Sequence, residues 1–256
     1  MQEIIEKFIA GYVRSYSLKK GTCTTWLSPL VAYADAADLL FPKLKQIVSP
    51  SHAVPTDFLS DAETVIAYFL PFNHLVAESN IPGRESSRAW AVAYVETNTL
   101  ISDLNAALAR KLERHGYKAA LIPPTHNFDK VKLISDWSHR HVAYIAGLGK
   151  FGLNNMLITA RGCCGRVGTI VTNVKIKPTP RAEGEYCLYK LDGSCGKCVD
   201  KCVNNALHKK LFDRQKCYAM CLENASRFGD VGLADVCGKC LVGVPCSFVN
   251  PVGFSN

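Results

Sequence analysis

No run of eighteen uncharged apolar residues occurs in the chain, so no segment is expected to cross a membrane as a helix. No secretory signal is read either. The opening stretch, MQEIIEKFIAGYV, carries acids inside its apolar pattern and reads as an amphipathic helix. Internal repeats and low-complexity tracts are also missing, which sets aside solenoids and biased linkers. Acidic residues vanish over one long stretch. None lies between Asp136 and Glu183, whereas Arg140, Lys150, Arg161, Arg166, Lys175, Lys177 and Arg181 all do. A one-sign segment of that length suggests an anionic partner, either a phosphate-bearing cofactor or nucleic acid. The plain alternative is a solvated basic face. Aromatic residues for base stacking are sparse there, Tyr144 and Phe151 among them, and no specific nucleic-acid motif is present.

Cysteine is abundant. The 256 residues include twelve, and nine of these fall between Cys187 and Cys246. With no secretory signal, that count points to a reducing cytoplasm and to metal. The formal net charge of +8 overstates the positive charge of a chain whose thiols are deprotonated by metal. Two Cys-x-x-Cys units, Cys195-Gly-Lys-Cys198 and Cys237-Gly-Lys-Cys240, are flanked by Cys187, Cys202, Cys217, Cys221 and Cys246. Eight thiolates are what two [4Fe-4S] clusters need. Gly196 and Gly238 let each unit turn without a Cβ clash. Cys198-x3-Cys202 leads into VNNALHKKL, read as a short helix. Bacterial two-cluster ferredoxins use this run, and there the cysteine after the x3 spacer ligates the other cluster. Crossed ligation is therefore expected: Cys187, Cys195, Cys198 and Cys246 on one cluster, Cys202, Cys217, Cys237 and Cys240 on the other. Two structural zinc sites also fit Cys-x2-Cys pairs, and a disulfide framework is the third reading. Cys221 lies one helical turn from Cys217, as an alternative ligand or a buried spare thiol.

Upstream, residues 2–14 read as a helix and GTCTTWLSPL as a turn-rich loop. VAYADAADLLFPKLKQIV reads as a helix interrupted at Pro42. TVIAYFLPF (64–72) reads as a buried strand and NHLVAESNIPGRESS as a polar loop. Residues 86–115 form the longest helical pattern, with Leu100, Leu104, Leu108 and Leu112 on one stripe, cations in the last turn and Gly116 as its stop. YKAALIP reads as a strand, FDKVKLISDWSHRHVAYIA as a helix, and MLITA and RVGTIVTNVKI as strands. This alternation predicts an α/β or α+β layer domain over residues 1–180, a boundary within KPTPRAEGEY (177–186), and a cysteine module over 181–256.

Gly147-x-Gly149-x-x-Gly152 matches the dinucleotide fingerprint formally. Its context does not: the preceding segment reads as a helix, and the next acid is Glu183 rather than one about 20 residues on. Such glycines still predict a close approach of backbone to a flat ligand or to a packed neighbour.

AGLGKFGLNNMLIT, followed by GCCGRVGTIVTNVKI and then CGKCVDKCVNNAL, resembles the epoxyqueuosine reductases and, more distantly, the corrinoid reductive dehalogenases. The resemblance is densest from Ala143 to Cys246 and extends upstream through VIAYFLPF and SSRAWAVAYVETNTLISDLNAAL. It implies an α+β protein, with a cobalamin-binding, nitroreductase-like α/β layer domain followed by a two-[4Fe-4S] ferredoxin-like module. Gly147, Gly149, Gly152 and Asn154 match the family's cofactor-side segment, and the cysteines from Cys195 onward match its cluster ligands. Several positions depart from the pattern. The lysine after the third glycine is Leu153. The first cysteine of the ferredoxin run falls at Asp192, so Cys187 is taken as its replacement. Val203 stands for the usual proline, and five residues rather than three separate Cys240 from Cys246. The place of the catalytic acid holds Leu133 and that of the following glutamate His139, with Asp136 nearby. The helical repeat domain that follows in longer members is not found in these residues.

The expected function is an iron–sulfur oxidoreductase of the cytoplasm. It would take electrons from a donor such as ferredoxin or flavodoxin, pass them through two clusters, and deliver them to a cofactor, by resemblance a cobalamin, at the glycine segment. Asp136, His139 and His141 are the candidates for proton delivery. Two residues apart, the histidines point to different sides of a helix. tRNA is a partner by resemblance alone. The alternative is a two-cluster electron-transfer protein without substrate chemistry of its own.

Overall fold

The computed structural model describes residues 1–254. Helix α1 (Gln2–Lys20) leads to strand β1 (Leu30–Asp35), α2 (Leu40–Ile47), α3 (Pro55–Phe58) and β2 (Thr64–Pro71). Then come α4 (His74–Ser79), the long α5 (Arg88–Glu113) and β3 (Ala119–Leu121). Next are β4 (Phe128–Asp129), β5 (Ile134–Ser135), α6 (His139–Ile145), β6 (Gly149–Phe151), β7 (Leu157–Thr159) and β8 (Gly165–Thr172). The cysteine-rich part has α7 (Leu188–Asp192), α8 (Lys197–Asp200) and α9 (Arg214–Arg227), with 3-10 turns at Lys239–Leu241 and Val252–Phe254.

The main sheet has the order β1-β2-β8-β3, and all its pairings are antiparallel. β2 is buried along its whole length, so alternate residues serve opposite faces. Ile66, Tyr68 and Leu70 meet α1 (Ile5, Ile9, Val13) and the leucine stripe of α5 on one face. Val65 and Ala67 meet α2 (Phe41, Leu44) and α6 (Val142, Ala143) on the other. Helices thus cover both faces, a three-layer arrangement. A third core joins this body to the cysteine-rich part: Phe72, Trp90, Ile158, Cys163 and Cys164 pack with Cys187, Leu241 and Val242.

The long helix begins on a side-chain cap, Ser87 Oγ accepting the Trp90 N–H at 3.1 Å. It stops at left-handed Gly116 (φ 82°), beyond which the Tyr117 N–H returns to the Leu112 carbonyl. Its stripe Leu100, Leu104, Leu108 and Leu112 is buried as the spacing predicts.

Four segments differ from the sequence-based expectation. Residues 31–48 are not one helix but β1 followed by α2. Edge pairing to β2 and burial of Ala32 and Ala34 outweigh the helix propensity of alanine. Asp35 and Asp38 then turn the chain by accepting the N–H groups of Ala37 and Leu40. Pro42 sits in the first turn of α2, where its missing N–H costs nothing. The expected polar loop after β2 contains α4, capped by Asn73. The segment from Phe128 is a hairpin before it is a helix: the Asp129 carboxylate accepts from Val131 and Lys132, Leu133 is left-handed, and α6 starts only at His139. VNNALHKKL is not helical. Asn205 has φ 49°, and Leu207 bridges to Phe212.

Candidate functional site

The eight cysteines assigned to clusters fall into two neighbourhoods. Cys187, Cys195, Cys198 and Cys246 line one small pocket together with Gly152, Leu153 and Asn154. Burial pushes the Cys198 thiol up to about 12, and the charges of Cys246, Cys187 and Cys195 push the same way. Cys202, Cys217, Cys237 and Cys240 line the floor of a much larger cleft. Cys240 is raised well above its ordinary value by burial and then by Cys237, Cys217, Cys198 and Cys202. Cys237 is pushed up to about 11, chiefly by burial. Thiolates gathered this way repel one another unless a cation sits among them. Cys202 Sγ also receives the N–H groups of Ala206 and Leu207, each at 3.3 Å. Among the described residues no three His, Cys, Asp or Glu side chains converge as closely as a single metal ion requires.

Cys217 and Cys221, one turn apart on α9, are free thiols whose hydrogen bond shifts the ionisation of each. That bond lowers Cys217 to about 7, and the Arg140 charge helps. The same bond and burial raise Cys221. Cys217 is the better thiolate and Cys221 the donor.

Two cysteines outside the expected set complete this region. The Cys163 N–H bonds to the Cys246 and Ser247 carbonyls at 3.0 and 3.1 Å, and its sulfur lies 4.0 Å from Cys246 Sγ. The Cys164 N–H bonds to Ser247. A Cβ on Gly162 would sit 2.4 Å from the Ser247–Phe248 backbone, so the chains meet there with no room for a side chain. The only sequence signal was the uncommon Gly-Cys-Cys-Gly run before β8.

The glycine segment serves its own chain. Gly147 is left-handed (φ 84°) against the Pro180 carbonyl, and a Cβ on Gly149 would lie 2.1 Å from the Ile158 oxygen across the β6–β7 hairpin. Of the close approaches left open by sequence, the packed neighbour accounts for both. Gly147 and Gly149 are not among the residues lining either cavity, whereas Gly152 lines the small pocket and Asn154 lines both. Asn154 Nδ2 donates to the Cys240 carbonyl at 3.2 Å, tying the hairpin to the second thiol group.

The cleft has a volume of about 780 Å³, within the usual range of about 300–1,000 Å³ for ligand pockets. α5 contributes Trp90 and Tyr94, α6 contributes Arg140 and His141, and β8 contributes Arg166. Asp235 is the one carboxylate among the described lining residues. It accepts from Tyr94 Oη at 2.8 Å and lies 3.0 Å from His126 Nε2.

The structure separates the proton-delivery candidates. His141 faces the cleft, bonded to Ser138 Oγ at 2.7 Å, and burial followed by the Arg140 charge lowers it to about 4. His139 turns away to Thr169 Oγ1 and the Pro123 carbonyl, at 2.8 and 2.9 Å, and is likewise lowered to about 4 by burial. Asp136 accepts from Ser51 and Ser49, outside the cleft lining. Leu133, at the family's acid position, does line the cleft. Tyr94, Arg166 and Asp235 were not singled out from sequence as site residues, because three distant segments supply them.

No helix among the described residues is long and apolar enough to cross a membrane. No protein-family profile matches the sequence, and no curated protein does. Solved structures do match. An epoxyqueuosine reductase from Streptococcus thermophilus superposes with a TM-score of 0.56 at 15% identity, covering 92% of this chain and 65% of that one. A selenomethionine-labelled epoxyqueuosine reductase gives 0.53 at 17%, covering 94% and 66%. An epoxyqueuosine reductase bound to an epoxyqueuosine-modified tRNA-Tyr stem loop gives 0.57 at 17%, again covering 94% and 66%. The chain spans about two-thirds of the length of these structures. From its first helix to its cysteine-rich end, it has the mixed helix-and-sheet fold of the epoxyqueuosine reductases.

Proposed function

We propose that the protein is an iron–sulfur oxidoreductase of the epoxyqueuosine reductase type. In this reading residues 1–180 form a nitroreductase-like layer domain that holds a ligand, and residues 181–256 form a ferredoxin-like module. The observation that carries it is the division of eight thiols into two groups, one lining a small pocket and one lining the cleft. Cys187, Cys195, Cys198 and Cys246 would hold one [4Fe-4S] cluster, and Cys202, Cys217, Cys237 and Cys240 the other. Four thiolates on one zinc ion at about 2.3 Å would stand about 3.8 Å apart. A four-iron cube reaches to more widely spaced sulfurs. Bound clusters supply one-electron transfer at a potential set by burial and by hydrogen bonds to sulfur.

The chain's own residues do the rest. Ala206 and Leu207 donate to the Cys202 sulfur, and Cys221 together with the Arg140 charge favours the thiolate of Cys217. Asn154 fixes the β6–β7 hairpin between the two groups. His141 is the proton-handling candidate in the cleft, while His139 and Asp136 are placed to hold their surroundings. A cobalamin at the Asn154 end of the cleft is the cofactor proposed from the resemblance. The tRNA stem loop seen with one structural neighbour is a proposed substrate class, and a ferredoxin or flavodoxin the proposed donor.

Protein prepared without oxygen should be brown and contain about eight irons. Zinc with no visible absorbance would end the cluster reading. Cys198→Ala should lose about half the iron, and full retention would overturn the ligand assignment. Added cobalamin should bind with a base-off spectral change. With no shift and no retention, the electron-transfer reading replaces the cofactor enzyme.

A further inference from the structure

Arg140 and Arg166 reach the cleft from different elements, α6 and β8. Among the described residues neither guanidinium forms an ion pair with a carboxylate. Arg140 Nη1 bonds only to the Asn155 carbonyl at 2.8 Å and to Met156 Sδ at 3.1 Å. Arg166 lies over the Tyr94 ring, 4.3 Å from its centroid, and its Nε is buried with no hydrogen-bond partner. Asp235 is near enough to favour the Arg166 charge, but its Oδ1 already serves Tyr94 and His126. Arg214 and Lys239 add two further cations to the lining. Burial opposes the charge of both arginines, and Arg166 further opposes Arg140. Cys217 and Cys240 offset this in part for Arg140. Arg166 is half-buried with an unpartnered Nε, whereas Arg140 stands open to solvent on the cleft wall, so it is chiefly the Arg166 charge that is costly unless an anion meets it.

We propose that Arg140 and Arg166 form an anion subsite in the cleft that takes the phosphate of a nucleotide-bearing ligand. A phosphate offers several oxygens to two guanidinium forks approaching from different walls, which a single carboxylate does less well. The Tyr94 ring helps to hold the Arg166 guanidinium in place by a cation–π contact. The inference rests on the cleft being the ligand site, and names the part of the ligand that these residues recognise.

The test is calorimetric titration of pyrophosphate into protein prepared without oxygen, at low salt. Saturable binding is expected, at least tenfold weaker in Arg166→Gln and in Arg140→Gln. It should be intermediate in Arg166→Lys and unchanged in Lys177→Gln, an exposed cation outside the cleft. Circular dichroism on each variant guards against misfolding, and Arg166→Lys stands in if the glutamine variant does not fold. Absence of binding by the parent protein, or equal affinity in both glutamine variants, overturns the proposal. Two further arms identify the source. If the phosphate is a cofactor's, Arg166→Gln weakens cobalamin but not cobinamide, which lacks the nucleotide. If it is RNA's, the variant weakens a tRNA stem loop instead. A variant that weakens none of these larger ligands overturns the subsite as a nucleotide site. Missing iron would sink the cluster reading and leave the pyrophosphate result standing.

Discussion

Gly196 and Gly238 occupy the same place in two Cys-Gly-Lys-Cys units, and the structure predicts opposite responses to alanine. Gly238 has φ 72°, and a Cβ there would lie 2.3 Å from the Trp90 ring. Trp90 is 2% exposed and packs edge-on against Phe72, 5.1 Å between centroids, so it has no free direction in which to move. A left-handed alanine costs about 1–2 kcal/mol. Crowding a packed ring costs about 1–3 kcal/mol. Together these give about 3 kcal/mol for Gly238→Ala, or a fall in Tm of about 6–12 °C in a chain of this size. Gly196 has φ −145° and only the Lys209 side chain within reach, at 3.4 Å, so Gly196→Ala should move Tm by about 2 °C or less. Thermal melts of the two variants, with iron analysis of each, check the contrast. Equal melting temperatures would refute the reasoning that the left-handed turn and Trp90 together demand this glycine.

Asn105 links the layers by accepting from Tyr68 Oη at 2.7 Å and donating to the Thr169 carbonyl at 3.1 Å. Asn105→Ala strands both partners in the core and should cost about 2–4 kcal/mol in denaturant unfolding. Asn105→Asp, which loses the donor, should also destabilise. His139 and His141 have folded values near 4, below the ordinary 6.5, so the unfolded chain takes up their protons first as pH falls. Their contribution to stability is complete above about pH 6.5 and is lost progressively down to about pH 4. Melting curves across that window should flatten in His139→Gln, and an unaltered slope would remove His139 from the account. Cys163 donates toward Cys246 but is not an expected ligand, so Cys163→Ala should keep its iron while lowering the midpoint potential of one cluster. Loss of half the iron would instead make Cys163 a ligand.

The legible parts of this chain were those governed by local rules. Period-four leucines foretold α5, and the unbroken apolar run foretold β2. Where neighbours decide, sequence misled. VAYADA reads as a helix until β2 lies beside it. FDKVKLIS reads as a helix until the Asp129 carboxylate captures the turn.

By itself, then, the sequence determined which residues are buried in the long elements, because periodicity acts within a few residues. Only the tertiary structure decided what surrounds them. It set Arg166 over Tyr94, placed Cys163 against Cys246, and turned His139 away while leaving His141 in the cleft. Those pairings join segments that lie far apart in the chain, and their energies come from desolvation and close contact, which no local pattern encodes.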